Sequence, residues 1–555
     1  MSEAQDPIRL EIVSHALVAA AEEMNVTIWR TSRSTTVREL LDYSTAVFDR
    51  DGRNLAQAAR MPVHLNSMEP CLEEIKTRHI PLDDWAEGDV IITNDPYSGG
   101  QHLPDFLCFK PVFHQGRRIA ITGVLTHHVD VGGGAAGGYN ARATEVFHEG
   151  VRVPPVRLVT AGKLNQELLA TILCNVREPE IFRSDLLSEV SALEVGARSI
   201  RALADKYGGP TFEAVGQAIL DGSEAGMRAA IAAIPDGSYA AEDWIDGDGL
   251  SPETLRIVVR VTVAGDRLAV DLSGTAPQAA GPVNATFALT KSAVYYAIIA
   301  ATGAPVAANS GCYRPIDVAA PVGSLVNAAF PAPVSMRMLT GHKIVTATLR
   351  ALAGVLPERI PAAYYGVTFN HAIGIIHADG RRQVYFDSEL GGWGGHPEQD
   401  GADGLSAGFH NQQNTPIEMI ESLYPLTFTR YGLLPDSGGA GRHRGGLGIV
   451  REWRFDGHRG LLNASFDAFR SRPYGLDGGA QGSAGRLSVT RDRVMTELPP
   501  KVIGHELAAG DVVRMETPGG GGHGDPSRRD PTALAADLAG GYVTAGHANI
   551  STSNG

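Results

Sequence analysis

The sequence predicts an α+β chain of several domains, rich in strands and loops, with several helices and a mainly β C-terminal portion. Three observations lead there. Apolar residues recur at helical spacing near the N-terminus and again between 183 and 233. Short β-type runs follow the Gly-rich stretch Asp436 to Gly448. The 65 glycines cluster beside Asp, Asn, His and Pro, where a backbone turns tightly.

Length fixes the domain count from below. A chain of 555 residues exceeds the roughly 250–300 residues at which one core stops growing. Boundaries are expected to give an N-terminal region of 1–240, a mixed α/β middle region of 241–440, a mainly β region of 441–540 and a mobile tail of 541–555. Asp6-Pro7 reads as an N-cap and first helical position, and Ile8, Ile12, Val13, Ala16, Leu17, Ala20 and Met24 form the apolar stripe of a helix of about five turns. Ser44 to Asp49 reads as a strand closed by the turn Asp49-Arg50-Asp51-Gly52. Helices are predicted over Arg183–Tyr207, Thr211–Ala233, Lys291–Thr302 and Lys343–Val355. The polar stretch Pro235 to Glu253 separates the first two from a hairpin of Thr254–Val263 and Arg267–Leu272. Later strands are expected at Ile449–Phe455, Arg486–Thr490 and Asp511–Glu516. The runs Gly391–Gly395 and Gly519–Gly524 read as turns.

Composition excludes several classes of function. Hydrophobic residues make up 43% and charged residues 20%, the balance of a folded globular chain. A net charge of −14 with no Lys/Arg run argues against nucleic acid, whose phosphates require clustered cations. The longest apolar stretches fall far short of the roughly 20 residues a membrane span needs, and Met1 to Pro7 shows no secretory signal, so a cytoplasmic location is expected. Cys71, Cys108, Cys174 and Cys312 have no CxxC spacing and are expected to be reduced core thiols.

One region carries chemistry. Phe106–Phe113 and Arg118–Thr126 are apolar and flank His114-Gln115-Gly116-Arg117, so they should pair as an antiparallel hairpin. With the turn centred on Gln115 and Gly116, paired residue numbers sum to about 231 or 232; Asp105 then faces His127, and His102 faces Asp130. Pro104 cannot donate to a ladder, so His102 to Asp105 should leave the regular strand and let their side chains converge. Imidazole nitrogen and carboxylate oxygen suit zinc, manganese or ferrous iron. Three protein ligands would leave positions open for water or substrate. Asn94-Asp95-Pro96-Tyr97 and Asp130 to Gly134 flank the hairpin as turn-rich loops.

At these residues the sequence resembles the hydantoinase B family, which includes a subunit of N-methylhydantoinase, the C-terminal half of 5-oxoprolinase, and subunits of acetone and acetophenone carboxylases. The resemblance spans nearly the whole chain. Its most specific piece runs from Asn94 to Asp105, followed at the family's spacing by His127-His128-Val129-Asp130-Val131-Gly132-Gly133. Further matches are Asp42-Tyr43-Ser44, Pro62-Val63-His64-Leu65, Asn309 to Ile316, Gly391 to Gly395 and Gly438 to Arg442. Leu41 and Asn66 depart from the usual Arg and Gly.

The resemblance implies metal ligands at His102, Asp105 and His127, a divalent zinc, manganese or ferrous ion, and a partner similar to hydantoinase A that binds ATP and phosphorylates a carbonyl or amide oxygen. The chain itself has no GxxxxGK[S/T] loop. Asp130, Asp42 and His64 are candidate bases, and Asn94, Asp95 and His128 are candidate substrate contacts. The expected function is the metal-binding subunit of a heteromeric, ATP-dependent cyclic-amide hydrolase. A carboxylase subunit of the acetone or acetophenone type and a non-catalytic metal-stabilised scaffold are the alternatives.

Overall fold

The computed structural model describes residues 7–546, so the predicted N-cap at Asp6 and most of the expected mobile tail lie outside the described residues. Within the tail, Asp436 Oδ1 accepts from the Thr544 backbone N–H at 2.7 Å.

Among the described residues, helices and sheets combine in one mixed architecture with four sheets. The first is entirely antiparallel: β1 (Tyr43–Asp49), β2 (Asn54–Gln57), β3 (Val90–Thr93), β4 (Asp105–His114), β5 (Arg117–His127), β6 (Val156–Thr160) and β7 (Lys163–Leu164), in the order β2-β1-β5-β4-β3-β6-β7. The predicted hairpin is β4 and β5. Pairs from Asp105↔His127 to Val112↔Ala120 sum to 232, and a bulge after Val112 moves the last two pairs to 231. Gln115 and Gly116 both take positive φ, 50° and 76°, the primed turn that matches the twist of the strands.

This sheet is covered on both faces, which is why its central strands read as continuous apolar runs. On one face Phe106, Cys108 and Val124 pack against the helices Pro7–Thr31 and Pro179–Tyr207 through Met24, Ile28, Phe182, Leu186 and Leu193. On the other, Leu107, Phe109, Ile121 and Leu125 meet Met68, Cys71 and Leu72 of the Pro62–Glu74 helix. The N-terminal helix buries Val13, Leu17, Ala20, Ala21, Met24 and Ile28. Ile8 and Ile12, placed in the same stripe from sequence, stay 71% and 47% exposed.

The second sheet joins Gly237–Ile245, Leu255–Ala264 and Arg267–Asp271 antiparallel, with Ile316–Ala319 parallel at its edge. Packed on it is the buried helix Arg337–Leu352, which begins six residues earlier than the sequence suggests. The third and fourth sheets each draw strands from both sides of position 440. Phe369–Ile376 pairs with Arg459–Ser465, and Leu426–Leu433 with Ile449–Phe455. The C-terminal portion is therefore mainly β, as expected, but its hydrogen bonding does not divide at 440.

Two further expectations need correction. Cys71, Cys108 and Cys312 are buried free thiols, whereas Cys174 is exposed, because it caps the helix Gln166–Leu173 at the surface. The glycine runs are not turns. None of Gly519 to Gly522 has positive φ, and only Gly524 (76°) turns. Each backbone group instead bonds to a different neighbouring run: Gly439 N to Gly520 O (2.8 Å), Gly520 N to Gly446 O (2.9 Å), Gly446 N to Trp393 O (2.7 Å), Gly395 N to Gly521 O (2.8 Å) and Gly522 N to Ala480 O (2.9 Å). Extended segments lie side by side at backbone contact distance, and glycine alone permits the approach. A Cβ on Gly445 would stand 1.9 Å from Gly520 O, and one on Gly520 would stand 1.9 Å from Trp393 O.

Gly445→Ala should therefore lower stability by about 3 kcal/mol, because a backbone cannot yield as a side chain does. Gly222→Ala, in a helix with nothing within 4 Å of the added carbon, should raise it by about 0.5–1 kcal/mol. Thermal unfolding of the two variants checks the contrast; equal midpoints would contradict the interlocked-backbone account.

Candidate metal centre

Strand alternation assembles the centre. Asp105 and His127 face each other across the first pair of the β4–β5 ladder and share the parity of Leu107 and Leu125, so their side chains point toward the Pro62–Glu74 helix. Tyr43 pairs with Thr126, and the His127 N–H donates to Asp42 O at 3.0 Å. Asp42 thus sits beside His127 on the same face. His64 arrives from the third position of the Pro62–Glu74 helix. His102 comes from the loop before β4, where Asp105 N donates to His102 O at 3.2 Å; Pro104 lies just outside the strand, as its missing N–H requires.

The ligand atoms converge. His102 Nε2 is 2.8 Å from Asp105 Oδ1 and 3.2 Å from His127 Nδ1, and His127 Nδ1 is 3.1 Å from Asp105 Oδ1. Ligands about 2.0–2.1 Å from a tetrahedral zinc ion would stand about 3.3 Å apart, so this donor set fits a divalent ion with little movement. His102, Asp105 and His127 form one group able to hold a metal among the described residues. All three are at most 3% exposed.

Asp42 Oδ2 lies 3.9 Å from His127 Nδ1, and Asp42 Oδ1 lies 3.4 Å from His64 Nε2. Gln412 Nε2 donates to Asp42 Oδ2 at 2.5 Å. Burial, with the Asp105 charge nearby, pushes the Asp42 carboxyl up to about 6 against the opposing His127 and Arg337. Burial lowers His64 to about 4 and His102 to about 3. Burial would raise Asp105, but the adjoining His102 imidazole and the Arg337 charge, with hydrogen bonds from His102 and His127, outweigh it and hold that carboxyl well below its usual range. Arg337, from the first turn of its helix, donates Nη2 to Asp105 Oδ2 at 2.7 Å and Nε to Gln101 Oε1 at 3.2 Å.

The remaining candidates have other partners. His102 does not face Asp130, because the ladder stops at Asp105. Asp130 is closed by hydrogen bonds from Gly132 N, Gly137 N, Arg177 N and Arg177 Nη1. Asn94 donates to Leu103 O and Val151 O and accepts from Val153 N, tying three segments together. Asp95 caps a short helix at Tyr97 N, accepts from Ser98 Oγ and pairs with Arg152 at 3.3 Å. His128, the residue after β5, falls on the opposite face of the sheet from His127. It stacks on Phe182 at 4.0 Å and meets Glu189 at 2.9 Å, a neutral pair in which burial lowers the imidazole to about 3 and raises the carboxyl well above its ordinary value.

Sequence reasoning did not find Arg337, Gln101, Gln412, His342 or His410. Arg337 is 232 residues from Asp105, and no local sequence pattern links the two.

The fold and centre define a known class. A model of the hydantoinase B/oxoprolinase family matches residues 6–526, and the chain belongs to that family. The putative D-/L-hydantoinase of Pseudomonas sp. (strain NS671) contains a polypeptide 31% identical to this one, over 97% of this chain and 93% of its own length. The crystal structure of the ATP-dependent caprolactamase from Pseudomonas jessenii superposes with a TM-score of 0.93 at 30% identity, covering 99% of this chain and 97% of that one. A nucleotide-free acetone carboxylase shares the fold, with a TM-score of 0.89 at 18% identity over 98% of this chain and 79% of that one. No helix among the described residues is long and apolar enough to cross a membrane.

The buried neutral histidines set a pH dependence. Their folded-state values, about 3 to 4 for His64, His102 and His128, lie below the ordinary 6.5, so the unfolded chain takes up protons first. Stability is full above pH 6.5 and is lost as pH falls toward 4. Urea midpoints measured from pH 7.5 to 5 should decline, and His128→Gln should flatten the decline; an unchanged slope in that variant would remove His128 from the account.

Proposed function

We propose that the chain is the metal-binding subunit of a heteromeric, ATP-dependent cyclic-amide hydrolase, working with an ATP-binding partner of the hydantoinase A type. The observation that carries this reading is the buried convergence of His102 Nε2, Asp105 Oδ1 and His127 Nδ1 within 3.2 Å of one another. The caprolactamase likeness over nearly the full length of both chains supports hydrolysis over carboxylation.

His102, Asp105 and His127 would hold a divalent ion, which when bound would polarise a carbonyl or lower the pKa of water. Phosphorylation of the amide oxygen by the partner weakens amide resonance. Addition of water to the activated carbon and cleavage of the C–N bond open the ring. Hydrolysis of the resulting acyl phosphate then releases inorganic phosphate. Asp42, raised by burial to about 6, is suited to accept the proton of attacking water near neutral pH. His64 holds the far side of that carboxylate at 3.4 Å. Arg337 fixes Asp105 by its second oxygen, leaving Oδ1 turned to the histidines.

Asn94, Asp95, His128 and Asp130 serve this site by shaping its walls, as their partners indicate, and substrate contact falls instead to groups beside Asp42 and Arg337. Zinc or manganese fits the two-nitrogen, one-oxygen donor set, with ferrous iron third.

Co-expression with the ATP-binding partner, followed by assay of ATP consumption with hydantoins, 5-oxoproline and caprolactam, tests the proposal. Turnover should require a cyclic amide and both subunits. Dependence on a ketone with bicarbonate would replace hydrolysis by carboxylation. His102→Ala should lose stoichiometric metal by elemental analysis and lose at least about 100-fold in rate; full activity without metal would leave a scaffold role. The isolated chain should show no ATPase activity.

A further inference from the structure

Two elements outside the hairpin bring a second set of polar groups to the centre. The helix Arg337–Leu352 supplies Arg337 and His342, and the turn after Ala407 supplies His410 and Gln412. The two elements are tied to the site and to each other. Val63 N donates to Phe409 O at 3.2 Å, Gln413 N donates to Leu40 O at 3.2 Å, and Gln412 reaches Asp42. The rings of His342 and His410 stand 6.1 Å apart at 82°, and burial, with His342, His64, Arg337 and His127 close by, lowers His410 well below its ordinary value.

Each of these three side chains leaves a nitrogen buried without a partner: Arg337 Nη1, His342 Nε2 and His410 Nδ1. All three residues are at most 3% exposed. Burying such groups unpaired costs free energy unless something accepts their hydrogens. His342 Nδ1 faces the Tyr364 hydroxyl at 2.8 Å; in the tautomer in which the phenol donates there, the ring proton resides on the unpartnered Nε2. Arg337 has already given Nη2 to Asp105 and Nε to Gln101, which leaves Nη1 as a free cationic donor.

Charge points the same way. A divalent ion held with Asp105 and Asp42, together with Arg337, gives the sealed centre a net positive charge, and a low-dielectric site in that state recruits an anion. Guanidinium is the side chain suited to phosphate oxygens.

We infer that Arg337, His342 and His410 form a binding site for a phosphoryl group next to the metal ligands, holding it in the activated substrate and as product phosphate. The assignment rests on the hydrolase reading for the source of that group, though the donor cluster itself is independent of which ring is opened. Neutral histidines serve this role without changing charge, since burial keeps His342 near 3 and His410 well below its ordinary value.

The test is inorganic phosphate binding by titration calorimetry and ³¹P line broadening on the full chain, with metal content measured in parallel and acetate as the competing planar anion. Wild type should bind phosphate in preference to acetate. His342→Leu and His410→Leu should each weaken phosphate binding at least about tenfold, the loss of one hydrogen bond to a charged group, with metal content unchanged, and His342→Gln should recover part of it. In the two-subunit complex the same variants should raise the phosphate concentration needed for product inhibition. Phosphate binding that is absent from wild type, no stronger than acetate, or as tight in both Leu variants as in wild type overturns the inference. If a Leu variant does not fold, the corresponding Gln variant and the wild-type preference decide. Absence of metal alongside intact, His342-dependent phosphate binding would instead sink the hydrolase mechanism and leave this site standing.

Discussion

The pairing of Asp105 with His127 at the open end of the β4–β5 hairpin is the contact on which the rest of the centre depends. Because side chains alternate along a strand, this one register puts Asp105, His127 and Asp42 on the face toward the Pro62–Glu74 helix and sends His128 to the other. A slip of one residue would carry His127 to the opposite face and break up the proposed triad. The primed turn at Gln115-Gly116 and the bulge after Val112 keep that register in place.

Burial then dictates the chemistry of each group. Asp105 stays ionised because two histidines and Arg337 surround it, while Asp42, less well compensated, rises to about 6. Two carboxylates on one sheet face thus differ in protonation through their neighbours alone, which suits them to the proposed roles of cation anchor and proton acceptor. The outer elements contribute charge and donors rather than ligands. Arg337 orients Asp105, and the segment carrying His410 and Gln412 covers Asp42.

The glycine runs extend the same logic to the scaffold. Segments near 392–395, 438–446, 475–482 and 519–523 lie in mutual backbone contact, each hydrogen-bonding to several others. The 391–405 run joins this bundle to the third sheet, and Trp393 lies 6.0 Å from Tyr364, the residue that orients His342. The bundle therefore supports one wall of the centre.

What the sequence determined by itself was whatever local pattern controls: the long helices, the hairpin and its register, the β character of the C-terminal portion, and the two histidines and aspartate of the proposed metal triad. Pro104, the Gln115-Gly116 turn and period-2 alternation act over a few residues, so their consequences are legible without coordinates. Tertiary structure alone decided what long-range packing controls. Arg337 meets Asp105 across 232 positions, His410 and His342 converge from separate elements, and Asp130 is consumed by Arg177 rather than facing His102. It also decided that the glycine clusters are interlocked rods, because glycine permits both a turn and a close approach, and only the neighbouring chains select between them.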